Sequence, residues 1–137
     1  MIEQILADTH ILYWYFEGGG RLGTREARRL ADALEGGALF GTTVSLREIS
    51  GLVARGRLRG PADVLRWARH TAALGLAWLP LDDETAIESA HLPGTPPKDP
   101  NDQMIIATAR VHDLTLVTRD AEILEYARRG HVRVLTA

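Results

Sequence analysis

Short apolar runs alternate with amphipathic helical stretches along the whole chain, and the two periods of about 2 and 3.6 residues separate cleanly enough to place most elements. Ile5-Leu6-Ala7 reads as a short buried strand ending at Asp8, followed by an apolar helical stretch from His10 to Phe16 that breaks at Gly18-Gly19-Gly20. Residues Arg25 to Glu35 read as a helix with Thr24 as N-cap, an inward stripe of Ala27, Leu30, Ala31 and Leu34, and Gly36-Gly37 as its stop. Ala38 to Thr42 is a second strand. Ser45 opens a helix with Leu46, Ile49, Leu52 and Val53 on one face, ended by Gly56. Pro61 opens another through Leu65, Ala68, Ala72 and Leu74.

Leu76 to Leu79 is a third strand and Asp82 to Ala90 a short helix with acids in its first turn. His91 to Pro100 holds four Pro and one Gly, so it is a loop that leads to a helix at Asn101 carrying Met104, Ile105, Ala107, Thr108 and Val111. Leu114 to Val117 is a fourth strand, Ala121 to Arg129 a helix capped by Asp120, and Val132 to Leu135 a fifth strand. Strands alternating with helices at these lengths predict one α/β domain over residues 1–137: a doubly wound, mostly parallel sheet of about five strands with helices on both faces.

In such folds ligands bind beyond the carboxyl ends of the strands, where the strand order reverses. Acids collect there. Asp8 ends the first strand, Glu48 lies one turn into the helix after the second, Asp99 and Asp102 open the helix before the fourth, and Asp120 follows the fourth directly. Each has a structural reading of its own. Ser45-Leu46-Arg47-Glu48 fits a capping box, Asp99-Pro100-Asn101-Asp102 fits an N-cap, a Pro at the first helical position and an acid at the third, Asp120 fits an N-cap, and Asp8 fits a turn residue. Helix caps alone do not require that the acids share one end of one sheet.

Carboxylates crowded together repel unless a cation neutralises them, and the single lysine, Lys98, sits on the proline loop. An all-carboxylate set suits a hard divalent cation, Mg²⁺ with Mn²⁺ as a substitute, rather than zinc. The chain has no Cys, and no pair of its five His has the spacing of a zinc helix. No Ser-His-Asp or Cys-His set competes, and His10 reads as a packed residue of the first helix.

Charge narrows the partners. A net charge of -2 excludes bulk polyelectrolyte binding, although Arg47 to Arg69 holds six Arg against Glu48 and Asp63. Tyr13-Trp14-Tyr15-Phe16 is more aromatic surface than one helix hides, which leaves part of it for a subunit or partner interface. No apolar run approaches the ~18 residues of a membrane helix and no basic leader precedes the first strand, so a soluble cytoplasmic protein is expected.

Four segments carry a resemblance to a known family. Ile5-Leu6-Ala7-Asp8-Thr9-His10-Ile11-Leu12-Tyr13-Trp14 resembles the opening of PIN-domain ribonucleases, particularly the toxins of VapBC toxin–antitoxin modules. Val44-Ser45-Leu46-Arg47-Glu48 resembles their second acidic motif, Asp99 to Ala109 their third, and Leu116-Val117-Thr118-Arg119-Asp120 their fourth. Gln103 departs from a position where a basic residue is common, and Ala7 from a larger aliphatic.

The resemblance implies a metal-dependent endoribonuclease that cleaves RNA by in-line attack of an activated water, leaving a 5′-phosphate and a 3′-hydroxyl. Asp8 and Asp102 would be the main Mg²⁺ ligands, Glu48 and Asp120 would bind directly or through water, and Thr9 and Thr118 would orient them, with Asp99 either supporting or only capping its helix. It also implies a cognate antitoxin and a homodimer. An RNA-processing nuclease outside any toxin system, or a catalytically silent module of the same fold, shares these motifs. A receiver domain would need a second acid beside Asp8 and a Lys after the last strand, and has neither.

Overall fold

The computed structural model describes residues 3–18 and 21–137; Gly19 and Gly20 of the expected helix break, and Met1 and Ile2, lie outside them. Five strands, β1 (Ile5–Ala7), β2 (Leu39–Thr42), β3 (Ala77–Leu79), β4 (Thr115–Thr118) and β5 (Val134–Thr136), form one sheet in the order β3-β2-β1-β4-β5. All four pairings are parallel. The helices are α1 (Thr9–Glu17), α2 (Thr24–Glu35), α3 (Thr43–Ala54), α4 (Val64–Ala73), α5 (Asp83–Ser89), α6 (Pro100–Val111) and α7 (Ala121–Ala127).

β1 is central and buried at every position, as a strand covered on both faces must be. Its alternation divides two cores. Ile5 and Ala7 face Leu12 of α1, Leu30 of α2, Ile49 of α3 and Trp67 of α4, whereas Leu6 faces Ile105 and Ile106 of α6 and Ile123 and Tyr126 of α7. The order reverses between β1 and β4, whose register pairs Ala7 with Val117. Asp8 and Thr118 therefore leave the sheet side by side, with the Asp8 amide donating to the Val117 carbonyl at 3.0 Å.

The element order and the doubly wound sheet agree with the sequence; several boundaries and faces do not. α2 starts at Thr24 with Gly23 as its cap, and it buries Ala33 while Ala31 faces solvent. α4 starts three residues after Pro61, capped by the Asp63 carboxylate on the Arg66 amide. Its buried stripe is Trp67, Ala68 and Thr71, so Leu65 and Leu74 are 61% and 51% exposed. The turn bonds of Asp63 fix where the helix begins, and that start rotates the stripe away from the residues that hydrophobicity alone selects.

All four aromatics of α1 are half-buried against the chain itself. Phe16 meets Trp67 edge-on, Tyr13 donates to the Arg59 carbonyl, and Trp14 lies beneath Arg21 and Arg119. Part of this aromatic surface is thus taken by α4, the loop before it and two Arg side chains, and part stays accessible. Gly41 lets Trp78 cross β2, since a Cβ there would stand 2.8 Å from its ring. α1 ends at Gly18, whose φ of 79° only Gly adopts without strain. No helix of the described residues is long and apolar enough to cross a membrane.

Candidate active site

The carboxyl edge of β1 and β4 carries the acids, each delivered by a helix start. Asp8 caps α1: its Oδ1 accepts from the Thr9 amide at 2.8 Å and its Oδ2 from the Thr118 hydroxyl at 2.6 Å. Thr118, fully buried, also accepts from the Asp120 amide at 3.0 Å, so one hydroxyl ties the first acid to the fourth. Asp120 caps α7 with Oδ1 on the Glu122 and Ile123 amides, which leaves Oδ2 for other partners. Asp99 caps α6 through the Asn101 amide, as its structural reading expects. The carboxylate of Asp102, two residues inside Pro100, makes no hydrogen bond among the described residues.

The capping box does not form. Thr42 caps α3 by accepting from the Val44 amide, which places Ser45 inside the first turn and Glu48 in the second. Ser45 is buried with its Oγ 2.8 Å from the Thr9 hydroxyl, and that hydroxyl donates to Glu48 Oε1 at 2.8 Å. Glu48 is thus released from any helix-end role and held toward Asp8 by a buried chain of hydroxyls. The β-branched Thr42, at the end of a strand and with a hydroxyl of its own, is the residue that displaces Ser45 as the cap.

Electrostatics mark the same cluster. Burial raises the proton affinity of Asp8, opposed by the Thr118 and Thr9 hydrogen bonds, and burial likewise raises that of Glu48 against its bond from Thr9. Asp102 is pushed from an ordinary 3.8 up to about 7, first by burial and then by Asp120, Asp99, Asp8 and Glu48. Asp8, Glu48, Asp102 and Asp120 enter no ion pair among the described residues. Carboxylate oxygens of Asp102, Asp120 and Glu122 lie within 4.8 Å of one another.

This donor set fits a hard divalent cation: it offers oxygen alone, it is uncompensated, and a proton held to neutral pH on Asp102 stands where positive charge is wanted. Glu122 is the one acid of that cluster the sequence reading missed. It occupies the first turn of α7, where an acid is ordinary, and only the fold brings it near Asp102.

Of the five His only His10 borders these acids, and it is exposed rather than packed. Gln103 serves the loop: its Nε2 donates to the Pro97 carbonyl at 2.8 Å and so holds the proline segment against α6. A groove of about 750 Å³ lined by α5, the end of α6 and the residues before β4 and β5 lies at the opposite edge of the sheet, and none of the four acids lines it. Its walls hold the Glu88–Arg110 ion pair, with no cluster of unpaired acids comparable to the carboxyl edge.

A five-stranded parallel sheet with acids gathered at its switch point defines a class of protein, and comparison gives the family. The family model described as PIN domain matches residues 5–129, and the chain belongs to that family. Ribonuclease VapC22 of Mycobacterium tuberculosis is 29% identical over 134 residues, covering 95% of this chain and 97% of the relative. The crystal structure of DNA-bound VapBC from Salmonella typhimurium superposes with a TM-score of 0.70 at 20% identity, covering 99% of this chain and 98% of that one. FitAcB from Neisseria gonorrhoeae gives 0.66 at 20% identity over 96% of each chain. At those identities the two structures speak for the fold.

Proposed function

We propose that this chain is a divalent-metal-dependent endoribonuclease, acting in the cytoplasm as the toxin of a toxin–antitoxin pair. What supports the reading is that Asp102 and Asp120 lie with Glu122 within 4.8 Å of one another, while Asp8 and Glu48, held by Thr118 and Thr9, are near enough to raise the proton affinity of Asp102, in a chain whose curated relative is a ribonuclease. Asp8 and Asp102 would hold Mg²⁺ or Mn²⁺ directly, with Glu48 and Asp120 as further oxygen donors. When bound, such a cation lowers the pKa of water and stabilises charge on the leaving oxygen of a phosphodiester.

The chain's own residues do the rest. Thr118 and Thr9 each hold one oxygen of the Asp8 and Glu48 carboxylates, and so would orient both toward one cation site. Ionised Asp102 keeps that point negative, and the rest of the chain carries a formal +2, so neutralising the four acids leaves a surface that no longer repels RNA. The buried hydroxyl chain from Ser45 resists rotation of Glu48 and excludes water behind it.

Thr118→Val keeps the shape of β4 but leaves Asp8 Oδ2 and the Asp120 amide without their shared partner. Cleavage is expected to fall about 10- to 100-fold and stability by about 1–2 kcal/mol, measured by RNA cleavage and urea unfolding. Unchanged activity would mean that Asp8 needs no orientation from β4.

A free nuclease of this kind harms its host, and a partner supplying Arg to the acid cluster would compensate it by bidentate contacts. The toxin reading predicts a homodimer that binds such an antitoxin. Expression of this chain alone is expected to arrest growth, and co-expression with the adjacent small open reading frame to restore it. Harmless expression of a chain that still cleaves RNA would make it a processing nuclease instead.

A further inference from the structure

Beside the acids lies a second cluster that the proposed chemistry does not use. Arg119, exposed and set between Thr118 and Asp120, turns away from the carboxylates and lies over the Trp14 ring, 5.0 Å from its centroid. Its Nε donates to the Ala137 carbonyl at 2.8 Å and one Nη to the Arg21 carbonyl at 2.5 Å. The Arg21 guanidinium approaches the same indole at 5.6 Å. His10, exposed on the first turn of α1, stands 5.7 Å from Trp14 with the rings tilted by 52°.

These groups have an unusual combination of properties. A lone surface Arg samples many rotamers, whereas the plane of Arg119 is fixed by two carbonyls and an indole, and its other Nη makes no hydrogen bond among the described residues. His10 follows Asp8 and Thr9 directly, and is near enough to Asp8 and Glu48 to act on their charges. The cluster thus abuts the acids at two points of the chain: after Asp8 on α1 and before Asp120 at the end of β4.

We infer that His10 and Arg119, supported by Trp14, form a stacking subsite for a base of single-stranded RNA next to the phosphodiester held at the acids. This deepens the nuclease reading and rests on it. Planar imidazole and guanidinium surfaces bind the π-face that every base has. A base in a duplex is already stacked and cannot use the platform, so the subsite selects unpaired RNA. Stacking, not charge, is the chemistry, and the protonation of His10 does not enter.

The test is a set of single-stranded RNAs of about a dozen nucleotides, each with one nucleotide replaced by an abasic ribose, cleaved in Mg²⁺. For wild type, loss of the base at one position flanking the cut is expected to lower kcat/KM about tenfold, chiefly through KM. His10→Ala and Arg119→Ala are each expected to lower kcat/KM on intact RNA by a similar factor and to shrink that abasic penalty to about twofold or less. His10→Phe keeps the ring and the penalty; Arg119→Lys keeps the charge, loses the plane and behaves as Arg119→Ala. An abasic penalty of equal size in wild type and both alanine variants overturns the inference and leaves the cluster as a clasp between α1 and the end of β5. Failure of wild type to cleave any RNA overturns the nuclease reading, and the inference with it.

Discussion

Asp102→Asn is expected to lower RNA cleavage by at least about a hundredfold while making the metal-free protein more stable at pH 8. The two effects have one cause. Asp102 is half-buried among Asp120, Asp99, Asp8 and Glu48, and its carboxyl is held up to about 7. A group whose folded pKa is raised favours the folded state at low pH and loses that contribution as pH climbs from its unfolded pKa through its folded one, here from about 4 to about 7. The shift corresponds to about 4 kcal/mol at face value, and solvent screening of a partly exposed group reduces it to about 1–2 kcal/mol.

Asn at the same position removes this penalty at pH 8 and little at pH 4. Against it stands the loss of an acid from the first turn of α6, about 0.5 kcal/mol. Relief of repulsion is the larger effect, so thermal unfolding in EDTA should occur at a higher temperature for Asp102→Asn than for wild type at pH 8, with the difference closing near pH 4. A variant that is inactive because it unfolds would show the opposite order. One that is destabilised but active would make Asp102 a helix-start residue alone.

Adding Mg²⁺ should stabilise wild type, and more strongly at pH 8 than at pH 6. At pH 8 Asp102 is largely ionised; at pH 6 it is largely protonated, and a cation must displace that proton. Below about 7 the apparent affinity therefore falls by up to about tenfold per pH unit. The rise in melting temperature at a fixed Mg²⁺ concentration reports this directly, since stabilisation follows the ratio of ligand to dissociation constant. Asp102→Asn should lose most of the rise at both pH values. An equal rise at pH 6 and pH 8 in both proteins would place cation binding away from Asp102.

The elements of the sheet were legible because each strand is a compact apolar run, and the position of Asp8, Asp102 and Asp120 at its carboxyl edge followed from the connectivity alone. Side-chain competition at helix starts was less legible. Ser45 and Glu48 match a capping box in spacing, yet Thr42 at the end of β2 takes the cap and turns both residues inward, one to Thr9 and the other toward Asp8. Periodicity likewise chose Leu65 and Leu74 for the core on hydrophobicity, whereas the large Trp67 and the fixed cap at Asp63 set the face that α4 buries. Glu122 had no signal, because its place near Asp102 depends on how α7 leaves β4, a three-dimensional fact absent from any local pattern.

The most direct test is cleavage of total RNA by the purified chain, with wild type in Mg²⁺, wild type in excess EDTA and Asp102→Asn in Mg²⁺ run side by side. Degradation in the first and intact RNA in the other two is the expected result. Cleavage that persists at full rate in EDTA, or in Asp102→Asn with Mg²⁺, would contradict a cation held by the four acids.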